Sequence, residues 1–285
     1  MLPRSPGPEA CEARGEGHLP IDLDLTGRTA FVSGSTQGIG LAIAQRLALA
    51  GARVAVNGRS AERVQEALDA LVGAGVDPSR LIAAPGDVTA EDGLAAALEA
   101  AGELDVLVNN LGIFGAAPAL EITDTEWQRY WDVNVMAAVR LIRATLPGMK
   151  ERGWGRVLNI ASDSAIVTPA EMIHYGVSKT ALLAVSRGFA KDAAGTGVTV
   201  NSVIAGPTYT EGVQDFVYEL VDPSLSWEEA EVEFMRLHRP QSLLQRLVRP
   251  EEIANMVVYL ASPLASATTG GALRVDGGYT DAILP

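Results

Sequence analysis

Ser33-Gly34-Ser35-Thr36-Gln37-Gly38-Ile39-Gly40 is the stretch on which the reading of this chain turns. Before it, Thr29 to Ser33 is a short apolar run, the pattern of a buried strand. After it, Gly38 to Ala50 carries Ala, Ile and Leu at helical spacing. The glycines therefore fall on a strand-to-helix turn. Gly34 permits the tight turn, Gly38 lets the backbone approach a pyrophosphate, and Gly40 allows close packing of helix on strand. The helix N-terminus offers free N–H groups and a partial positive charge to phosphates. Ser35, Gln37 and Ile39 lie between the glycines and belong to the same predicted cofactor loop. The spacing is G-x-x-x-G-x-G, not the common G-x-G-x-x-G. Taken alone, such a loop also fits an ordinary βα turn.

Outward from the loop the rhythm repeats. Strands are predicted at 53–57, 81–84, 104–109, 155–160, 198–204 and 272–275, and helices at 61–72, 90–100, 172–193 and 250–261. Residues 125–151 hold one long helix or a broken one. Strand–helix alternation predicts a single α/β, Rossmann-like doubly wound domain over 23–285, with a mostly or wholly parallel seven-stranded sheet flanked by helices on both faces. Residues 1–22, rich in Pro, Gly and Glu, read as a flexible tail without a secretory signal. Residues 211–245 are too long for a simple connection and predict one or two helices. They read either as a lid over the substrate or as a surface or subunit contact.

Bulk properties narrow the function. The formal net charge is −13, which argues against nucleic acid or an anionic membrane as partner. No apolar run reaches the roughly 18 residues of a membrane span. The single cysteine, Cys11, cannot form an intrachain disulfide, and the three histidines are far apart, so neither a disulfide framework nor a metal site is expected. A reducing cytoplasm is the simplest compartment, and a small molecule the expected partner.

Two local patterns carry chemistry. Strand two ends in Asn57-Gly58-Arg59-Ser60, where an NAD site usually places Asp or Glu for the ribose 2′-hydroxyl. Arg59 instead suits a 2′-phosphate, which favours NADP(H) over NAD(H). Tyr175 and Lys179 stand four apart on a predicted helix, hence on one face. An ammonium beside a phenol favours the phenolate and is expected to lower the Tyr pKa, which suits proton transfer. A half-buried Tyr beside a solvated Lys fits the same pattern. His174 faces elsewhere and is expected to be structural. Trp131 and Trp154 read as core or interface.

Taken together, the motifs resemble the short-chain dehydrogenases/reductases, in particular the branch related to 3-oxoacyl-carrier-protein reductases. The resemblance covers about residues 25–280 and rests on Gly34/Gly38/Gly40, Asp87-Val88, Asn109-Asn110-Leu111-Gly112, Asn134, Ser162, Tyr175 with Lys179, Asn201, Gly206-Pro207-Thr208-Tyr209-Thr210 and Asp276-Gly277-Gly278. It implies that Asp87 and the Val88 backbone bind adenine, and that Asn110 and Gly112 line the adenosine ribose. It implies that Thr208, with Gly206 beside it, holds the nicotinamide carboxamide. Ser162 would bond the substrate oxygen, and Tyr175 would be the acid or base. Lys179 would bond the nicotinamide ribose and tune Tyr175, and Asn134 would hold a water behind Lys179. Ser33, Leu111 and Ala205 replace the family's usual Thr, Ala and Pro. None of these removes a catalytic group.

The resulting expectation is an NADP(H)-preferring oxidoreductase interconverting a carbonyl compound and an alcohol. Ser162, Ser164, Tyr175, Phe114 and Tyr209, with Ile113 and Met172, are expected around the substrate. That largely apolar set predicts an uncharged or partly apolar compound. A homotetramer is implied by the resemblance. The alternative is a catalytically silent nucleotide-binding protein on the same fold. Dehydration or epimerisation on this frame is disfavoured by the compact length.

Overall fold

The computed structural model of the chain describes residues 23–283. The segment 1–22, read above as a tail, lies outside them. The described chain forms one α/β layer structure. β1 (Thr29–Val32), β2 (Arg53–Gly58), β3 (Leu81–Pro85), β4 (Val106–Asn109), β5 (Gly155–Ser162), β6 (Val198–Ala205) and β7 (Ala272–Val275) make one seven-stranded sheet, in the order β3-β2-β1-β4-β5-β6-β7. Every pairing is parallel. β5 and β6 are buried at every position, as central parallel strands covered on both faces must be. β1 lies between β2 and β4, so the order reverses beside the glycine loop, where a doubly wound sheet opens a ligand crevice.

Helices cover both faces: α1 (Gly38–Leu49), α2 (Ala61–Gly73), α3 (Glu91–Ala101), α4 (Asp124–Trp131), α5 (Ala137–Arg152), α6 (Ile173–Asp192), α7 (Glu211–Leu220), α8 (Trp227–His238) and α9 (Pro250–Ala261). One apolar cluster joins α1, α2 and α9 to the sheet through Ile43, Leu47, Leu71 and Val257. A second, around Phe31, Leu107, Leu141 and Met149, fills the other face. Burying each such side chain contributes roughly 1.5–3 kcal/mol before entropy is counted.

The predicted helix over 125–151 is interrupted. Residues Asp132–Met136 form a π-helical turn between α4 and α5. An inserted residue of this kind widens the turn, and such turns recur at functional sites. Asn134 sits in it. The 211–245 segment forms α7 and α8, which share a small core of their own around Val217, Ala230, Phe234, Met235 and Leu247. α8 is started by a reciprocal cap between Ser226 and Glu229. Trp131 is 42% exposed, so it is not core. Trp154 is half-buried and meets two cations, with the Arg28 guanidinium 3.7 Å and the Arg156 guanidinium 4.5 Å from its ring centroid.

Candidate active site

The carboxyl ends of β1, β4, β5 and β6 open onto one cleft of ≈ 1530 Å³. At its floor the glycine loop is tied to the end of β4. The Ser33 hydroxyl accepts from the backbone N–H groups of Asn110 and Leu111, both at 3.0 Å. Asn110 Nδ2 donates back to Ser33 O (3.1 Å) and Gly34 O (2.9 Å). Gly34 and Gly38 adopt positive φ, 61° and 56°, which explains glycine at both. Gln37 caps α1 without a side-chain hydrogen bond, whereas Ser60 and Ser226 cap α2 and α8 with theirs. The first N–H groups of α1 are thus left to an incoming anion.

Most predicted cofactor residues line this cleft: Gly34, Gln37, Gly38, Ile39, Gly40, Arg59, Asp87, Val88, Asn110, Gly112, Gly206 and Thr208. Ser35 stands behind the wall. It is fully buried, donates to Val32 O at 2.7 Å and accepts from Asn57 N at 2.9 Å. Asp87 Oδ1 is occupied by Thr89, whose N–H and hydroxyl approach to 2.9 and 2.6 Å. Asn57 is a positioning residue that the sequence reading missed. Its side chain bridges Gly34 N to Ala84 O and Gly86 O and so joins three strand ends. A buried Asn at the end of an apolar strand was the available signal.

These residues fit a dinucleotide. A Cβ on Gly38 would fall 3.2 Å from Thr210, and one on Gly112 3.2 Å from Lys179 Nζ, so both glycines keep open the space that a ligand needs. Uncapped amides lie at the phosphate position. Arg59 and Arg63 flank one end.

At the other end, α6 brings Tyr175 and Lys179 against Ser162. Asn134 fixes the surroundings from behind: its Oδ1 accepts from Ile113 N (2.8 Å), and its Nδ2 donates to Ile113 O (3.0 Å) and Ser178 Oγ (2.9 Å). Asn134, in the π-helical turn, thus links the segment after β4 to α6. Lys179 Nζ donates to Ile160 O at 2.9 Å and lies 5.8 Å from the Tyr175 ring centroid. Phe114 packs edge-on to Tyr175, 6.4 Å between centroids. Ser164 and Tyr209 also reach the cleft. His174 is buried, 4.0 Å from the Tyr130 ring and 6.2 Å from that of Trp127, in a structural position.

Electrostatics at the pair differ from expectation. Burial pushes the Tyr175 phenol up, not down; the Ser162 hydroxyl pulls it the other way, and the Asp163 carboxylate adds to the rise. Burial also lowers the Lys179 amine to about 8. Desolvation in a dry pocket thus sets the direction for both groups.

The buried Lys179, 5% exposed, makes folding stability depend on pH. Its ordinary value is 10.5, so below pH 8 the fold holds a buried cation at a penalty of about 3 kcal/mol. Between pH 8 and 10.5 the unfolded chain binds the extra proton, so folding stability rises with pH. Urea unfolding of wild type and Lys179→Met across pH 7 to 10 is expected to show wild type gaining on the variant above pH 8. Parallel profiles would contradict the assignment.

The pocket is less apolar than predicted. Asp163, directly after Ser162, and Arg239, just beyond α8, both line it, and Phe234 joins them. Asp163 was legible as a carboxylate at the end of a fully buried strand. Arg239 was not, because its approach depends on how α7 and α8 pack.

A family model described as enoyl-(acyl carrier protein) reductase matches residues 34–280. The chain belongs to the short-chain dehydrogenase/reductase family. The chain is 47% identical over 264 residues to the uncharacterized oxidoreductase YvaG of Bacillus subtilis, covering 92% of this chain and all of that one. It is 31% identical over 258 residues to a D-beta-hydroxybutyrate dehydrogenase of Rhizobium meliloti, covering 89% and 98%. The crystal structure of L-sorbose reductase from Gluconobacter frateurii, complexed with NADPH and L-sorbose, superposes with TM-score 0.85 at 34% identity, covering 92% of this chain and 100% of that one. No helix among the described residues is long and apolar enough to cross a membrane.

Proposed function

We propose that the protein is an NADP(H)-dependent reductase of small carbonyl compounds, with Tyr175 as proton donor. The observation that carries this reading is the convergence of Ser162, Tyr175 and Lys179 on the end of the cleft opposite the uncapped N-terminus of α1. When bound, the cofactor supplies the hydride that reduces the carbonyl carbon.

The chain's own residues do the rest. Tyr175, kept protonated by burial, gives its proton to the carbonyl oxygen. Ser162 places a hydroxyl beside that oxygen and, by turning its one proton from Asp163 Oδ1 to the substrate, stabilises the charge developing there. Lys179 would hold the ribose hydroxyls next to the nicotinamide, and Asn134 fixes Ile113 and Ser178 around it. Gly34, Gln37, Gly38, Ile39 and Gly40 hold the phosphates. Asp87 and Val88 take the adenine. α7 and α8, whose Val213, Phe216 and Phe234 line the cleft, cover the substrate and exclude water.

Arg59 lines the phosphate end with no acid beside it on β2, which supports the 2′-phosphate. In NADPH and NADH oxidation assays, Arg59→Ala is expected to raise the KM for NADPH by about 10-fold or more and leave that for NADH within about twofold. Equal effects on the two cofactors would remove the NADP(H) assignment. NADPH binding without turnover of any ketone or aldehyde in a broad panel would favour the silent nucleotide-binding alternative.

A further inference from the structure

The reacting end of the cleft holds a carboxylate that the chemistry above does not use. Its assignment rests on the roles given to Ser162 and Tyr175. Asp163 is 7% exposed and still lines the cleft. Its hydrogen bonds all fall on Oδ1, which accepts from Ser162 Oγ (2.8 Å), Ser164 N (2.7 Å) and, at 3.4 Å, Ser164 Oγ. Oδ2 has no hydrogen-bond partner among the described residues. Oδ2 is thus the oxygen left over for the cleft, and a ligand that displaces cleft water there must bring a donor in its place.

The charges around it select that donor. Burial and Asp276 both disfavour the Asp163 anion, while the Ser162 hydrogen bond and the Arg239 guanidinium favour it. Arg239 is not in ion-pair contact with any carboxylate among the described residues. It donates to His238 O at 2.7 Å and lies 5.3 Å from the Phe234 centroid and 5.6 Å from that of Tyr279. A substrate ammonium would share this pocket with that guanidinium. A substrate carboxylate beside the reacting carbon would bring a further acid group against Asp163 and Asp276, where burial already disfavours the anion. A neutral hydroxyl meets neither objection. Oδ1 already touches the Ser162 hydroxyl, so the free oxygen is one group away from where a carbonyl oxygen would sit. A hydroxyl on the carbon next to the carbonyl is the nearest substrate group able to bring a donor there.

We infer that Asp163 is a specificity-determining residue whose Oδ2 accepts a hydrogen bond from a substrate hydroxyl next to the carbonyl, so that the substrates are hydroxyketones and the reduced products vicinal diols. The Tyr175 proton goes to the carbonyl oxygen, and the neighbouring hydroxyl keeps its own.

The test compares NADPH consumption with acetoin against butanone and hydroxyacetone against acetone, with pyruvate as the anionic analogue, in wild type, Asp163→Asn and Asp163→Ala. Wild type is expected to favour each hydroxyketone by about 100-fold or more in kcat/KM and to reject pyruvate. Both variants are expected to lose most of that preference, to below about 10-fold. Asp163→Asn retains an acceptor for Ser162 and Ser164. The ratio is the readout because a residue that only held Ser162 in place would, when replaced, lower both members of a pair alike. Equal rates for hydroxyketone and plain ketone in wild type, or an unchanged ratio in both variants, would overturn the inference while leaving Tyr175 chemistry standing. Turnover of none of the five compounds would overturn it together with the reductase reading.

Discussion

Tyr175→Phe is expected to lower kcat for carbonyl reduction by about 10³-fold while changing NADPH affinity by less than about threefold. The substitution removes one oxygen. The ring keeps its edge contact with Phe114 and its place beside Lys179. Lys179 keeps its bond to Ile160 O, so the cofactor end is untouched. What disappears is the group at this spot poised to give a proton to the substrate oxygen. Burial holds the phenol protonated throughout the neutral range, which suits it to the reducing direction. Steady-state rates and NADPH fluorescence titration on the same preparation separate chemistry from binding. A kcat within tenfold of wild type would leave Tyr175 without a catalytic role.

Gly40→Ala is expected to abolish NADPH binding and to destabilise the fold. A Cβ at this position would collide with Asn110 Nδ2 and Gly34 O and would lie 2.9 Å from Ser35 Cα. Two of these neighbours are backbone and cannot rotate away. The third is the amide that ties β4 to the loop through Ser33 O and Gly34 O. Relief of the clash must move the loop or break that tie, and either takes the α1 amides from the phosphate position. Overpacking of this kind costs about 1–3 kcal/mol, or a melting temperature lower by roughly 3–10 °C for a domain of this size. Gly188→Ala is the control. Gly188 lies within α6 with no atom near its added Cβ, so it is expected to be neutral or stabilising by up to about 1 kcal/mol. Tight NADPH binding by Gly40→Ala would show that the loop does not hold the phosphates.

Much of this architecture was legible because the sheet is parallel and buried. Its strands are short apolar runs, and each but the last is followed by a helix, so periodicity places them within a residue or two; β7 and α9 match the predicted bounds. The glycine loop was legible from its place between a strand and a helix, and the shared face of Tyr175 and Lys179 from their spacing; their roles, and Ser162 itself, came from the family resemblance of the motifs together. Three features were not. The π-helical turn at Asp132–Met136 depends on Asn134 finding partners on β4's extension and on α6, which are distant in sequence. The upward shift of the Tyr175 phenol depends on burial, which the Tyr–Lys spacing does not carry. The charge in the substrate pocket depends on α8 carrying Arg239 back over β5, a tertiary fact about a segment whose sequence announced only helices.

Proton delivery from Tyr175 to a carbonyl oxygen during hydride reduction is the central claim. The most direct measurement uses NADPH carrying deuterium at the transferable nicotinamide position, with acetoin and butanone as substrates and the products read by mass spectrometry and NMR. Wild type is predicted to give the alcohol with one deuterium on the carbinol carbon, and Tyr175→Phe to give about a thousandth as much in the same time. Unlabelled alcohol, no alcohol from wild type, or equal labelled product from the two proteins would contradict the claim.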